Sequence, residues 1–447
     1  MIENYTVHNL FFKDINQFEE HDPHLENLQN LKFVHPLDWW KDIDWAKPGI
    51  YILTGGRQIG KSTSAKLLIK KVLRDKQFKP TRVFYLPCDQ ISDHLHLTKI
   101  IKLFVEEDLK SLADPFLLIL DEITYVKDWD KSIKALADEA LFRNGFCFIT
   151  GSDSVILKEA ASRFPGRRGN ADVSDFHIHP LNFHEYVKLT SPDLLEDPEN
   201  RIASLFESFE FFQKSGGYLK AINDLYLYGE IKQATYLMFE QWICGDFERR
   251  GKNLQTLASV LAAVCRTYGS QITYSALAQK MGHVSKETLI DYMNLLERMD
   301  ILFSLQAFDQ NTGLGFPKKA KRIHFYDPFI IDTIERWLAS ERLIEKKDRP
   351  SLKVESIAAA NYKRAMPTYY IKAEGEIDLV LVAGKIFVPI EVKWTNQLRP
   401  NDLKQLAKYE RSIILTKGLS CGHVDGIRSI PLPLCLIKYP REIPALA

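Results

Sequence analysis

The stretch GIYILTGGRQIGKSTSAKLLIKKVL (residues 49–73) constrains this chain more than any other. An apolar run of strand character is followed by a glycine-containing turn, then by aliphatic residues at helical spacing. Inside it, GGRQIGKS has the form G-x-x-x-x-G-K-[ST], with Gly55, Gly60, Lys61 and Ser62 in the defining places. The intervening Gly56, Arg57, Gln58 and Ile59 can curl their N–H groups around phosphate oxygens at a helix N-terminus, where the helix dipole also favours an anion. Lys61 is placed to reach β- and γ-phosphates, the Ser62 hydroxyl to bind Mg²⁺, and Thr63 lies in the same first turn. Such a string can arise by chance in a turn, but here a strand and a helix flank it.

ADPFLLILDEITYV (113–126) is an apolar strand ending in Asp121 and Glu122. Ionised groups closing a buried strand are costly unless something compensates them. An aspartate there can hold the Mg²⁺ shell, and the neighbouring glutamate can polarise an attacking water. TRVFYLPCD (81–89) is a further strand, as are GFCFITGSDS (145–154), with its polar end, and DFHIHPL (175–181). Strands alternating with helical segments predict a parallel sheet covered by helices on both faces.

Because a strand intervenes between phosphate loop and acidic pair, the chain resembles the AAA+ branch of P-loop ATPases. The resemblance implies ATP and Mg²⁺ as cofactors and puts Thr150 or Ser152 in the place of the sensor-1 polar residue. In the resembling family a Gly-Arg pair precedes a Pro-Leu-x-Phe-x-Glu-Tyr element; here Gly166-Arg167 precedes HPLNFHEY (179–186). Arg167 is thus the match for a γ-phosphate-sensing or finger arginine, with Arg163 and Arg168 as alternatives. Whether it acts in cis or in trans is open, and a finger implies a homo-oligomer. The turn-rich ASRFPGRRGN (161–170) can equally be a solvated loop.

Residues 200–250 have helical patterning, interrupted by KSGGYLKAI (214–222). The family carries Gly-Gly-x-Pro here, at the start of a lid helix; this chain has Gly216-Gly217-Tyr218-Leu219, without the proline. GSQITYSALAQKMGHVSKETLIDYMNLLERMDILFSLQAF (269–308) predicts a short helix, a turn through Gly282, a second helix capped near Ser285 and an apolar strand: a winged helix. The second helix carries Lys286, Glu287, Asp291, Glu297 and Arg298, a mixed set that suits either DNA or protein packing. The more basic feature is FPKKAKR (316–322), whose Lys318, Lys319, Lys321 and Arg322 suit phosphate contact or a solvated loop.

ERLIEKKDRPS (341–351) predicts a linker. Beyond it come a helix (352–365) bearing Glu355, a set of strands (368–394), a helix (401–410) with Gln405, and a strand (411–417). That order resembles the restriction-endonuclease-like core, whose PD-(D/E)xK pattern is an acid followed by Glu-x-Lys on the next strand. The resemblance implies that Asp378 and Glu391 hold Mg²⁺, that Lys393 orients the attacking water, and that Glu355 completes the site, with Gln405 near phosphate. Glu391 and Lys393 share one face of their strand by its period of two. A cross-strand ion pair is the alternative, although IDLVLV around Asp378 is almost wholly apolar.

A length of 447 residues predicts more than one domain, and 45% hydrophobic content with mixed charge fits a soluble protein. A net charge of +1 requires nucleic-acid binding, if any, to come from local patches. The six cysteines form no C-x-x-C pair, which predicts reduced thiols. The acidic N-terminus lacks signal-peptide character and no apolar run approaches the ~20 residues of a membrane span, so a cytoplasmic protein without membrane partners is expected. The expected fold is α/β: an N-terminal extension (1–48), a P-loop AAA+ parallel sheet (49–190), a helical lid (191–252), a winged helix with basic loop (253–340), a linker (341–351) and a C-terminal α/β restriction-endonuclease-like domain (352–447). The expected activity is Mg²⁺-dependent ATP hydrolysis coupled to binding of nucleic acid, DNA rather than RNA, and to metal-dependent phosphodiester cleavage. The alternative is an ATP-gated signal-transducing switch whose nuclease-like domain binds DNA or a protein without cutting.

Overall fold

The computed structural model describes residues 2–35, 37–109, 111–151, 157, 166–345, 349–395 and 403–438. The chain forms two compact units, Met1–His179 and Pro180–Ala447. Among the described residues no helix is long and apolar enough to cross a membrane.

In the first unit, β1 (Gly49–Gly55), β2 (Val83–Pro87), β3 (Phe116–Asp121), β4 (Gly145–Thr150) and β5 (Asp175–Ile178) make one parallel sheet in the order β2-β3-β4-β1-β5. The strands are continuous apolar runs because both faces are covered. Alternate side chains divide between two cores. Ile50, Ile52, Leu118 and Leu120 pack with the helices His94–Phe104 and Trp129–Asp138. Tyr51, Leu53, Leu117 and Ile119 pack with the helix Lys61–Arg74. The segment expected as an N-terminal extension is part of this second layer, since Phe11, Phe18 and Leu25 enter the same core.

In the second unit, the helices Tyr274–Met281 and Lys286–Arg298 accompany a small antiparallel sheet, β6 (Gln271–Ile272), β10 (Lys321–Phe325) and β7 (Leu302–Leu305). Ser285 caps the second helix, accepting from Thr288 N at 3.1 Å. After β7 the chain continues as a hairpin, β8 (Ala307–Asp309) and β9 (Leu314–Phe316), whose first strand pairs in parallel with β11 (Thr368–Lys372) at Tyr370. The hairpin thereby extends a second, mixed sheet. That sheet adds β12 (Glu376–Ala383), β13 (Ile386–Lys393), β14 (Ile413–Thr416), β15 (Gly422–Val424) and β16 (Ile427–Pro431), in the order β15-β16-β14-β13-β12-β11-β8-β9. The helix Pro350–Ala365 packs against β10, β11, β12 and β13. Of the helix expected over 401–410, residues 401 and 402 lie outside the described residues, Leu403 is helical, and Leu406–Lys408 form a 3₁₀ turn. Leu403 and Leu406 are buried there.

Candidate nucleotide site and candidate metal centre

The phosphate loop leaves β1 at Gly55 and turns into the helix at Lys61. Gly60 takes φ +96°, a left-handed conformation that a side chain would strain. Ile59 is anchored in the core, Gly56 is buried, and Arg57 reaches Tyr125, donating to its hydroxyl at 3.2 Å. The N–H groups of the first helical turn, from Lys61 to Thr63, have no acceptor within the helix, so they are oriented outward as a ready anion cradle. Lys61 Nζ donates to the carbonyls of Gly55 (3.0 Å) and Gly56 (2.8 Å), which holds the ammonium over the loop.

Asp121 ends β3 on the same edge of the parallel sheet as the phosphate loop, where ligands of such sheets bind. It is buried, yet both its oxygens are engaged: Tyr85 donates to Oδ2 at 2.5 Å, and Thr150 donates to Oδ1. Burial, and then the charge of Asp121, raises the Tyr85 pKa well above its ordinary value, so the phenol stays a donor. Thr150 Oγ1 also accepts from Glu122 N at 3.2 Å and so ties both members of the acidic pair to β4. Glu122 itself adopts φ +53°, a strained value for a residue with a side chain, and remains half-buried. An all-oxygen donor set of Ser62 and Asp121 suits Mg²⁺.

Of the two sensor-1 candidates, Thr150 is therefore the one brought to the acidic pair; Ser152, like Arg163, lies outside the described residues. Arg167 requires a correction. It lies beside the first residues of β1, where Gly169 bridges to Gly49 and Ile50 N donates to Arg168 O. The phosphate loop leaves the other end of this strand of 7 residues, about 20 Å away at ~3.3 Å per residue. Arg167 is instead ion-paired with Asp138. Its position rules out contact with the phosphates of its own loop.

Behind the loop helix lies a contact that sequence reasoning missed. Lys66 and Asp22 form a wholly buried ion pair at 2.9 Å. The Lys66 ammonium also donates to His8 O at 2.6 Å and sits 3.6 Å from the centroid of the Tyr85 ring. Burial lowers the Lys66 pKa and Asp22 opposes that shift. Leu181 and Asp327 explain the Gly216-Gly217 pair in the second unit. A Cβ on Gly217 would stand 2.0 Å from Leu181 O, and Gly217 N donates to buried Asp327 Oδ2 at 2.7 Å. The pair permits close backbone approach within that unit.

The acids expected to hold a metal lie together, with a residue among them that the pattern did not foresee. Pairing of β12 with β13 ends at Leu379 opposite Ile390. Beyond that point Asp378 Oδ2 accepts from Val392 N at 2.9 Å, and Glu391 Oε2 accepts from Asp378 N at 3.4 Å. Glu355, on the helix Pro350–Ala365, joins them; all three carboxylates are buried. Lys393 Nζ lies 2.8 Å from Glu391 Oε1. Gln405 lies beside Gly375, at the turn before β12. Arg322, expected in the basic surface loop, is instead buried from β10. Its Nη1 donates to Glu355 Oε1 at 3.0 Å and Asp378 Oδ1 at 2.9 Å, while Nη2 reaches Glu376 Oε2 at 3.4 Å. The alternation of β10 explains the correction: Lys321 lies 4.7 Å from the Tyr274 ring centroid, and Arg322 points to the opposite face.

Burial, and then Asp378, raises the Glu355 pKa well above the carboxylate range, with Arg322 opposing. The same two causes raise Glu391, and Lys393 opposes. Burial alone would lower the Arg322 pKa, but Glu355 and Asp378 outweigh it and hold the guanidinium charged. His324, two residues along β10, is pushed down to about 3 by burial and by Arg322, and so is neutral. Lys318, Lys319 and Lys321 do form a basic surface. With Lys286, Tyr274, Ser275 and Thr273 they line a cavity of about 340 Å³.

Residues 47–187 match the family described as an AAA domain. Residues 241–341 and 354–435 match two families described as domains of unknown function, DUF8612 and DUF4143. The chain is similar to an uncharacterized protein of Methanocaldococcus jannaschii, at 25% identity over 413 residues, 86% of this chain and 82% of that one. An uncharacterized protein of Haemophilus influenzae is 22% identical over 310 residues, 67% of this chain and 72% of that one. Among solved structures, a Walker-type ATPase of Pyrococcus abyssi shares 14% identity with a TM-score of 0.42, covering 72% of this chain and 95% of that one. The Aeropyrum pernix ORC2 protein shares 14% identity with a TM-score of 0.37, covering 66% and 89%. With its strand order and phosphate loop, the N-terminal unit has the fold of P-loop ATPases, and its residues 47–187 are the ones that match the AAA-domain family.

Proposed function

We propose that the chain is a Mg²⁺-dependent ATP hydrolase that acts on nucleic acid. The observation that carries this reading is the placement, on one edge of one parallel sheet, of the phosphate loop and an Asp121–Glu122 pair held by Thr150. In it, Lys61 and the first-turn N–H groups bind the phosphates of ATP, Ser62 and Asp121 hold Mg²⁺, and Glu122 orients the attacking water. The bound ion supplies charge neutralisation at the phosphates. Glu122→Gln is expected to retain ATP binding and lose turnover; hydrolysis at the wild-type rate would refute the assignment. A finger role for Arg167 would be exercised on a neighbouring copy.

The lysine-lined cavity supports association with a nucleic-acid backbone, and DNA is the proposed partner. Replacing Lys318 and Lys319 by Ala is expected to weaken binding across all sequences and flatten its salt dependence. In the C-terminal domain Asp378 and Glu391 would hold a divalent cation, while Glu355 and Lys393 complete a phosphodiester-cleaving site. Comparing Lys393→Ala with wild type on single-stranded, duplex and branched DNA, with Mg²⁺ or Mn²⁺, tests that site. A second reading, the ATP-gated switch that binds without cutting, is favoured by the Arg322 guanidinium seated among the acids. No cleavage by wild type on any of these substrates selects the switch.

A further inference from the structure

We infer that Arg322 and a divalent cation are alternative occupants of one site, and that the chain as seen here holds its own arginine in the cation's place. The inference rests on reading Glu355, Asp378 and Glu391 as cation ligands, and adds what stands between them.

Charge balance is the first argument. Four carboxylates, Glu355, Asp378, Glu391 and the more exposed Glu376, face two cations, Arg322 and Lys393. A divalent cation brought to the same oxygens would be forced within a few ångströms of a guanidinium that lies 3.0 Å from Glu355 and 2.9 Å from Asp378. Like charges so close in a poorly screened interior repel strongly. Both cannot be accommodated; one must leave.

The second argument is that the arginine is imperfectly held. Its Nε is buried and finds no acceptor among the described residues. Beside it, His324 Nε2 is likewise buried without a hydrogen-bond partner among them, and lies 3.9 Å from Glu355 Oε1. The neutral His324 ring keeps Nδ1 on Ser356 Oγ at 3.1 Å. Two unsatisfied nitrogens beside the acid set mark a site whose polar groups are not all used by the present occupant. Arg322 also shares β10 with Lys321, which faces the lysine-lined cavity, so a small shift of this strand would move plug and groove together.

The test is Mn²⁺ binding to the full chain, followed by titration calorimetry and by the Mn²⁺ resonance signal, with Asp121→Asn present throughout to remove the nucleotide-site ion. Wild type, Arg322→Gln, Arg322→Lys and Arg322→Gln/Asp378→Asn are compared. Arg322→Gln is expected to bind Mn²⁺ at least about tenfold more tightly than wild type, equivalent to ~1.4 kcal/mol. The added Asp378→Asn change should abolish that gain. Mn²⁺ should also raise the melting temperature of Arg322→Gln more than that of wild type. Arg322→Lys keeps a charge among the acids without the guanidinium fork; it should fold where the glutamine variant does not, with intermediate Mn²⁺ affinity. Equal, Asp378-dependent affinity in wild type and both arginine variants overturns the competition while leaving the metal reading intact. No Asp378-dependent Mn²⁺ in any of them overturns both.

Discussion

The Tyr85 hydroxyl donates to Asp121 Oδ2 at 2.5 Å, from a ring whose face is covered by the Lys66 ammonium 3.6 Å from its centroid. The carboxylate expected at the metal is therefore aimed by two neighbouring strands, β2 through Tyr85 and β4 through Thr150. Tyr85→Phe withdraws a donor from a buried carboxylate and is expected to cost about 1–3 kcal/mol of stability. Thr150→Val removes the hydroxyl that holds both Asp121 and Glu122, so ATP hydrolysis should fall with ATP affinity largely kept. Steady-state turnover and nucleotide titration of the two variants separate these effects. Wild-type turnover in Thr150→Val would contradict the positioning role.

The Lys66–Asp22 pair ties the first thirty residues to the loop helix. Lys66→Met leaves Asp22 charged and buried, and breaking such a pair costs about 3–5 kcal/mol. Early proteolytic release of the N-terminal segment should accompany a lower melting temperature. Adding Asp22→Asn removes the orphaned charge and should recover part of the loss.

Gly217→Ala would place a methyl group 2.0 Å from the Leu181 carbonyl, a backbone atom that cannot swing aside. Overpacking of this kind is expected to cost about 3 kcal/mol, visible as a reduced urea midpoint. The half-buried Gly245, with nothing within 4 Å of an added Cβ, serves as control: Gly245→Ala, in a helix interior, should be neutral or stabilising.

Asp327 caps the helix Pro328–Ser340 and is wholly buried; burial pushes its pKa up to about 6, against the backbone donors of Gly217 and Phe329. The folded chain thus holds this proton more tightly than the unfolded one. The associated stability is present at low pH and is lost as pH rises through about 6. The difference in stability between wild type and Asp327→Asn should shift toward wild type by about 2 kcal/mol from about pH 7 to about pH 4.5. Urea unfolding at the two pH values measures it, and a difference that does not move would contradict the argument.

What could be seen in the sequence was local or periodic. The phosphate loop lies within one strand–turn–helix unit, Asp121 and Glu122 close one apolar run, and Glu391 and Lys393 share a face because a strand repeats every two residues. The mixed α/β class followed from the same patterns. Arg322 looked like one more base in FPKKAKR, because its partners stand 33 and 56 positions further along the chain. The apolar IHF after it was a signal that the strand was turning inward.

The sequence by itself determined which short segments carry phosphate-binding and acidic chemistry, since bond geometry over a few residues suffices to place those groups. Only the tertiary structure decided what each charge meets: Tyr85 and Thr150 on Asp121, Asp22 on Lys66, Asp138 on Arg167, and Arg322 among Glu355 and Asp378. The physical reason is that compensating a buried charge requires a partner within a few ångströms in space, and the order of residues along the chain does not set that distance.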